Sequence, residues 1–253
     1  MALCFSCQTE SPTDDELNGV KKLSYYTEFF YDPTFGFQPI SKVRYEYNSS
    51  GKLIKYFVYR FDANKSLIEQ HHYNFTYSNN RVDKITGFFT GEKNPFVLYS
   101  YEYSPESQVT KIKEENYQVG ISSEVRFNYD LLSNSVTALY TFSNGGSFTY
   151  SYKLVDNNIT SDKTTKESEI CNTGEYAYDN GINPFSQLGY IEYTLNNVSV
   201  NNKLVESVDY LNCSFPSLVP ESYSHVYDNL GYPIESTTYY VNGGKSKKMF
   251  IYK

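Results

Sequence analysis

Apolar and polar residues alternate with a period of two along most of this chain, and short clusters of Asn, Asp, Ser and Gly interrupt the alternation every dozen or so residues. That pattern predicts β-strands joined by tight turns. The clearest example is Tyr45-Glu46-Tyr47-Asn48-Ser49-Ser50-Gly51-Lys52-Leu53. Tyr45 and Tyr47 project from one face of a strand and Glu46 from the other. Asn48 starts a turn by bonding the backbone two residues on, and Gly51 supplies the positive φ that closes it. Leu53 then opens the returning strand.

The same grammar recurs. Tyr59-Arg60-Phe61-Asp62 repeats it, with Asn64 expected in the left-handed position. Phe75-Thr76-Tyr77, Tyr101-Glu102-Tyr103, Phe127-Asn128-Tyr129, Tyr150-Ser151-Tyr152 and Tyr176-Ala177-Tyr178 follow. His225-Val226-Tyr227-Asp228-Asn229-Leu230-Gly231 is the last full copy, with Gly231 in the role of Gly51. A spacing near two dozen residues is one hairpin plus its connection, the mark of a repeat architecture. The wider gap before His225 predicts a degenerate copy around Tyr193 and residues 201–204. Residues 156–174 are polar and read as a long connection, the one candidate seam between domains. Residues 237–252 form a final hairpin, and no long segment keeps helical periodicity.

The expected fold is all-β: a long antiparallel meander of hairpin repeats in a single domain over residues 22–253. So many strands do not stay in one open sheet. The meander should become a curled sheet, a partly closed barrel or a superhelix.

Composition sharpens this picture: 28 Tyr and 17 Phe with no Trp suit pleated, half-buried surfaces. A net charge of −7 supplies no basic face for phosphates, so no nucleic-acid partner is expected. No run of eighteen apolar residues predicts a membrane helix. The first seven residues, Met1-Ala2-Leu3-Cys4-Phe5-Ser6-Cys7, look like the end of a lipoprotein signal peptide, with Cys7 acylated. They are too few for a complete signal, so its start is expected upstream. Residues 8–21 are polar and acidic and suit a flexible tether. The expected address is the outer membrane or cell surface, reached through an N-terminal lipid anchor, and the expected state is a monomer. Cys171 and Cys213 then remain, either as a disulfide or as two buried thiols.

Candidate chemistry is sparse. Gly243-Gly244-Lys245-Ser246 ends like a phosphate loop, but Tyr239 stands where its first glycine belongs. Adjacent His71 and His72 face opposite ways in a strand, whereas Glu69, His71 and Tyr73 are expected to share a face. His225 occupies a tyrosine position of the repeat. No catalytic, cofactor-binding or metal-ligating set is predicted.

The Tyr-x-Tyr-Asp/Asn-x-x-Gly-x-Leu unit resembles the YD repeats of the Rhs proteins. The region 22–253 looks like the tyrosine-rich lipoproteins of Bacteroidetes. Tyr176-Ala177-Tyr178-Asp179 with Asn183-Pro184-Phe185, and Tyr227-Asp228-Asn229-Leu230-Gly231-Tyr232-Pro233, carry the likeness. Rhs proteins build large shells around toxins, and this chain is too short for that. The resemblance implies a β-meander at the cell surface and brings no catalytic residues. The expected function is a non-enzymatic module that binds a glycan, peptide or protein through exposed tyrosines. The alternatives are a hydrolase whose site is assembled from distant strands and a purely structural envelope component.

Overall fold

Alternation and turn chemistry build sixteen antiparallel strands in the computed structural model, which describes residues 20–192, 197–211 and 219–253. The first eight are β1 (Leu23–Asp32), β2 (Gly36–Tyr47), β3 (Leu53–Phe61), β4 (Leu67–Ser78), β5 (Arg81–Phe89), β6 (Val97–Tyr103), β7 (Val109–Asn116) and β8 (Ile121–Asp130). The second eight are β9 (Ser135–Phe142), β10 (Ser147–Val155), β11 (Asn158–Lys166), β12 (Glu169–Ile182), β13 (Asn201–Tyr210), β14 (Pro220–Tyr227), β15 (Pro233–Tyr240) and β16 (Lys245–Tyr252). A 3-10 turn, Ser186–Leu188, lies between β12 and β13.

Each strand pairs with its sequence neighbours, and β1 also pairs with β16, so the sheet closes into a barrel. Closure removes both edges, which otherwise present unpaired backbone groups. Lys22 and Lys253 seal the junction with backbone hydrogen bonds of 3.0 and 2.9 Å. The meander is therefore a closed barrel, neither an open curl nor a superhelix.

Strand direction alternates, so every even-numbered strand runs toward the end that holds residues 20–22 and 253. Each even strand carries one aromatic pair near that end: Tyr45/Tyr47, Phe75/Tyr77, Tyr101/Tyr103, Phe127/Tyr129, Tyr150/Tyr152, Tyr176/Tyr178, His225/Tyr227 and Phe250/Tyr252. The second tyrosine has a specific task. Tyr47, Tyr77, Tyr103, Tyr129, Tyr178 and Tyr252 donate to the carbonyls of Leu23, Leu53, Val82, Val109, Ile159 and Pro233 at 2.6–2.9 Å. Each carbonyl lies at the start of the preceding odd strand, so the phenol locks the two ends of one hairpin together. Burial pushes the Tyr103 and Tyr178 hydroxyls up to about 12, so the locks stay protonated.

Turns at this end follow the predicted chemistry. Asn48 Oδ1 accepts from the backbone of Ser50 and Lys52 at 3.1 and 2.9 Å, and Asp228 Oδ1 from Leu230 and Tyr232 at 2.9 and 3.0 Å. Gly51 lies at φ 76° and Gly231 at φ 82°. A β-branched residue resists that region, so Gly51→Val and Gly231→Val should each cost about 1 kcal/mol or more. Gly51→Val should cost more, because the new Cβ also displaces Lys22 Nζ, which donates to the Gly51 carbonyl at 3.1 Å. Unchanged denaturation midpoints in both variants would contradict the turn geometry.

Four sequence expectations change. The Tyr59 copy lies on the odd strand β3 and turns at the opposite end, where Lys65, not Asn64, takes the left-handed position at φ 62°. Residues 156–174 are no connection: they are β11 and the first half of β12, joined by a tight turn with Glu167 and Ser168 at positive φ. The gap before His225 holds a loop and β13 instead of a hidden repeat; of that proposed copy, Tyr193 lies outside the described residues. The eighth pair is Phe250/Tyr252 on β16. At the N-terminal side the chain is already docked at Lys21, whose ammonium meets Asp228 at 2.6 Å. Cys7 and residues 1–19 lie outside the described residues.

Candidate functional site

The connection between β12 and β13 enters the barrel. Phe185 meets Tyr26 of β1 edge-on at 5.5 Å and Phe250 of β16 at 5.9 Å. Further round the wall, Tyr190 packs on Phe75 of β4 at 5.0 Å, and the Tyr101 hydroxyl of β6 donates to the Ile191 carbonyl at 2.8 Å. One short segment thus touches two separate parts of the wall, with Leu188 and Ile191 inside the continuous apolar core. It has no strand partner there, so side-chain amides satisfy its backbone. Asn183 accepts from Phe185 N at 3.0 Å and donates to Ser199 O at 2.7 Å. Asn197 accepts from Glu192 N at 2.9 Å and donates to Tyr190 O at 2.7 Å. The segment is an internal plug.

Glu192 lies on the plug among Tyr26, Tyr45, Tyr56, Tyr101 and Tyr190. Burial raises its carboxyl above the usual range, and the Tyr190 hydroxyl and Lys248 offset only part of the rise. The folded state therefore holds this proton at pH values where the unfolded chain has released it. Stability falls as pH rises from the usual carboxylate range through the raised folded-state value. Glu192→Gln should flatten that fall, adding on the order of 1 kcal/mol above the window. Denaturation midpoints of both proteins from acid to neutral pH check this, and parallel profiles would reject it.

Further along the lumen, Asp162 accepts from the Tyr176 hydroxyl at 2.9 Å. Glu206 accepts from the Tyr223 hydroxyl at 2.6 Å and from Lys203 Nζ at 2.9 Å. These acids are occupied in tying β11–β14 together. His225 belongs to the same wall: its Nε2 faces the Lys203 carbonyl at 2.8 Å, so Nε2 carries the proton, and Nδ1 takes the Ser236 hydroxyl at 2.7 Å. It replaces a repeat tyrosine and keeps a structural task.

The outer wall has the opposite character. On β8, Val125 and Phe127 enter the core, so Ser122, Glu124, Arg126 and Asn128 face outward. Thr137, Leu139 and Thr141 do so on β9, and Thr149, Ser151 and Lys153 on β10. Ion pairs lie across this wall, such as Arg126–Glu124 at 2.6 Å and Lys247–Glu235 at 2.9 Å. On β8–β10 hydroxyls and charges stand where a lipid-facing barrel needs an apolar band, while β1–β5 and β16 also expose apolar side chains such as Ile54, Met249 and Ile251.

The paired tyrosines consequently do not make an exposed platform, which corrects the expected contact surface. Among the described residues only Tyr31, Tyr117 and Tyr210 are strongly exposed. A different set of rings faces out on β1–β5. Tyr25, Arg44, Phe57, His72 and Phe88 stand side by side on five adjacent strands. The Arg44 guanidinium and Lys55 ammonium each lie 4.4 Å from the Phe57 ring centre, and Lys42 lies 3.7 Å from that of Tyr25. His72 stacks on Phe88 at 5.6 Å. Sequence reasoning missed this row because a bulge at Gln70 resets the alternation in β4. Glu69 therefore pairs with His72 at 3.3 Å, not with His71, which packs against Tyr73 and Phe96 inside.

The remaining sites fall as follows. Gly243 and Gly244 make a hairpin turn between β15 and β16, with Gly243 at φ 81°. Cys171 is buried and disulfide-bonded, while Cys213 lies outside the described residues. No group of three or more metal-ligating side chains occurs among the described residues. A shallow depression of about 300 Å³ lies beside the Gln70 bulge, lined by Arg60, Phe61, Asp62, Ala63, Ile68 and Gln70.

No family model and no curated protein matches the chain. Among solved structures it is similar to a porin-like protein from Bacteroides uniformis, with a TM-score of 0.59 at 12% identity over 91% of this chain and 98% of that one. A porin-like protein from Bacteroides vulgatus matches with a TM-score of 0.48 at 11% identity, over 92% and 99%. A chain of the TcdB2-TccC3 structure matches with a TM-score of 0.34 at 13% identity, over 90% of this chain but 14% of that one. The first likeness carries the barrel fold and says nothing of activity.

Proposed function

We propose that this chain is a non-enzymatic, water-facing barrel that acts as a binding module, held at the outer membrane or cell surface through acylated Cys7. It belongs in this reading with the tyrosine-rich YD-repeat-like lipoproteins. The observation that carries the proposal is the polarity of the wall: on β8–β10 apolar side chains point inward and hydroxyls and charges outward, and the outer rings of β1–β5 are interleaved with Lys42, Arg44 and Lys55. A transmembrane barrel needs the reverse, since each Lys or Arg facing lipid at mid-depth costs about 2–4 kcal/mol. The plug also occupies part of the lumen, which disfavours a channel. With no lipid contact from its strands, the barrel depends on the N-terminus for attachment. The outer wall then becomes the surface offered to ligands.

Detergent-phase partition of protein made in a Bacteroidetes host tests both halves. Expressed behind a complete lipoprotein signal, the chain should enter the detergent phase, and its Cys7→Ser variant should stay folded in the aqueous phase. A Cys7→Ser protein that still needs detergent, or that gives conductance steps in a planar bilayer, would overturn the water-facing reading. Equal aqueous partition of both proteins would remove the lipid anchor alone.

A further inference from the structure

We infer that the rim from which the N-terminal segment leaves the barrel docks on a lipid bilayer, with Leu131 and Leu132 as its inserting tip. The inference rests on the acylated Cys7 of the proposed reading and goes beyond it, because an anchor alone sets no orientation for the barrel.

Turns at this rim are built from Asn, Asp, Ser and Gly, as at residues 48–51 and 79–80, and they need no apolar side chain. The β8–β9 turn meets the same need with Asp130 and Asn134. Asp130 Oδ1 accepts from Leu132 N at 3.0 Å and Ser133 N at 3.3 Å, and Asn134 takes the left-handed region at φ 51°. The turn thus asks nothing of the Leu131 and Leu132 side chains, yet they form its tip. Leu132 is 100% exposed and Leu131 54%. Apolar side chains continue along the rim at Val155, Val200 and Leu230, all exposed. Backbone hydrogen bonds tie these turns together. Asn134 O accepts from Leu154 N at 2.9 Å, Asn157 O from Val200 N at 3.4 Å, Val200 O from Asn183 N at 2.9 Å and Gly231 O from Ile182 N at 3.0 Å. Lys21 N, where the N-terminal segment leaves, donates to the neighbouring Tyr232 hydroxyl at 3.1 Å. The leucine tip and the tether exit share one hydrogen-bonded rim.

Apolar character does not choose between the two ends, since the opposite rim exposes Phe35, Val119 and Val241. Position does. Twelve residues separate Cys7 from Val20, a flexible span of about 20 Å. The opposite rim lies a further strand length away, about 33 Å for the ten residues of β8 before tilt. An acylated Cys7 therefore holds the leucine rim beside the bilayer at high effective concentration and keeps the other rim in water. Insertion of two leucines, weak as a separate event, becomes an intramolecular step that adds to the acyl anchor. A second copy of the chain is the competing occupant. A tip of two side chains offers far less than the roughly 800 Å² per partner that a stable protein interface buries, whereas a bilayer yields around a protruding tip.

The test uses the chain expressed behind a complete lipoprotein signal and reconstituted into vesicles of phosphatidylethanolamine and phosphatidylglycerol. An environment-sensitive fluorophore is attached through Ser133→Cys beside the tip or, in a separate protein, through Gln118→Cys on the opposite rim. On vesicles the probe at 133 should brighten severalfold, shift to shorter wavelength and be quenched by nitroxide-labelled lipid. The probe at 118 should stay water-like. Adding the pair Leu131→Asn and Leu132→Asn should abolish the response at 133, while the pair Phe35→Asn and Val119→Asn should leave it unchanged. Thermal midpoints of both pairs should match the parent, since all four side chains are exposed. A protein that floats with the vesicles while the probe at 133 stays water-like overturns the docking and leaves the anchor standing. So does a response at 118 instead of 133, or one that survives the leucine pair. A protein that does not float overturns the anchor, and the docking falls with it. A Cys7→Ser protein that self-associates in solution until the leucine pair is introduced would give the tip to a second copy and overturn the inference likewise.

Discussion

Leu188→Ala is expected to destabilise the whole barrel by about 2–5 kcal/mol, although Leu188 belongs to a loop. The reason lies in the width of the sheet. About eight strands enclose an interior that the wall's own side chains can fill, whereas sixteen leave a lumen. Here the β12–β13 connection supplies the missing filling. Leu188 is 3% exposed and packs in the same core as Leu23, Phe75, Ile112 and Phe250, which come from opposite sides of the wall. Truncating it leaves a cavity that a hydrogen-bonded wall cannot collapse to fill. Leu139→Ala on the outer wall, where the side chain is 39% exposed, should stay within about 0.5 kcal/mol. Urea unfolding checks the contrast, read as a lower midpoint at unchanged slope for Leu188→Ala. Equal midpoints for the two variants would mean that the plug is an ornament rather than part of the core.

Much of the local structure was legible in the sequence because its causes are local. Asn48 with Gly51, and Asp228 with Gly231, encode their turns within five residues. Tyr45 and Tyr47 announce a shared face by spacing alone. Which face is the inside cannot be read that way, since it depends on closure between β1 and β16, more than 200 residues apart. That is why the tyrosine pairs looked available as a binding surface when they are core and locks. Asn183-Pro184-Phe185 stood out as a distinctive loop, yet nothing in its pattern says that it turns into the lumen. Composition misled at residues 156–174. Their inward positions include Asp162, Thr164, Asn172 and Gly174, so the strands lack the usual apolar alternation. The Gln70 bulge is a third kind of loss: one extra residue moves Glu69 to the other face. The outer row of β1–β5 was hidden for three reasons. Its members come from five strands, its phase depends on a bulge, and its exposure depends on closure.

Breaking the Cys171 disulfide is expected to cost about 2–4 kcal/mol and to loosen one seam of the barrel before the rest. Cys171 is fully buried at a register shift between β11 and β12, and its carbonyl accepts from Leu211 N, just past β13, at 2.8 Å. The neighbouring ladder, β13 to β14, is the weakest in the sheet, with a single register pair at Val205 and Ser222. By contrast, β12 and β13 pair from Asn172–Tyr210 to Ile182–Asn201. Cys213 is the expected partner, because it sits in the β13–β14 connection while Cys4 and Cys7 belong to the N-terminal address. Such a bond closes a loop of about 43 residues, for which the chain-entropy estimate is about 4 kcal/mol. It would also reinforce the contact of Leu211 with Cys171, beside the β13–β14 ladder where register pairs are fewest. Cys171→Ala should therefore lower the denaturation midpoint and speed amide exchange in β13 and β14 more than in β6–β9. Non-reducing peptide mapping should recover residues 171 and 213 in one linked fragment. Two free thiols in the denatured, unreduced protein, or an exchange pattern raised evenly around the barrel, would refute the clamp.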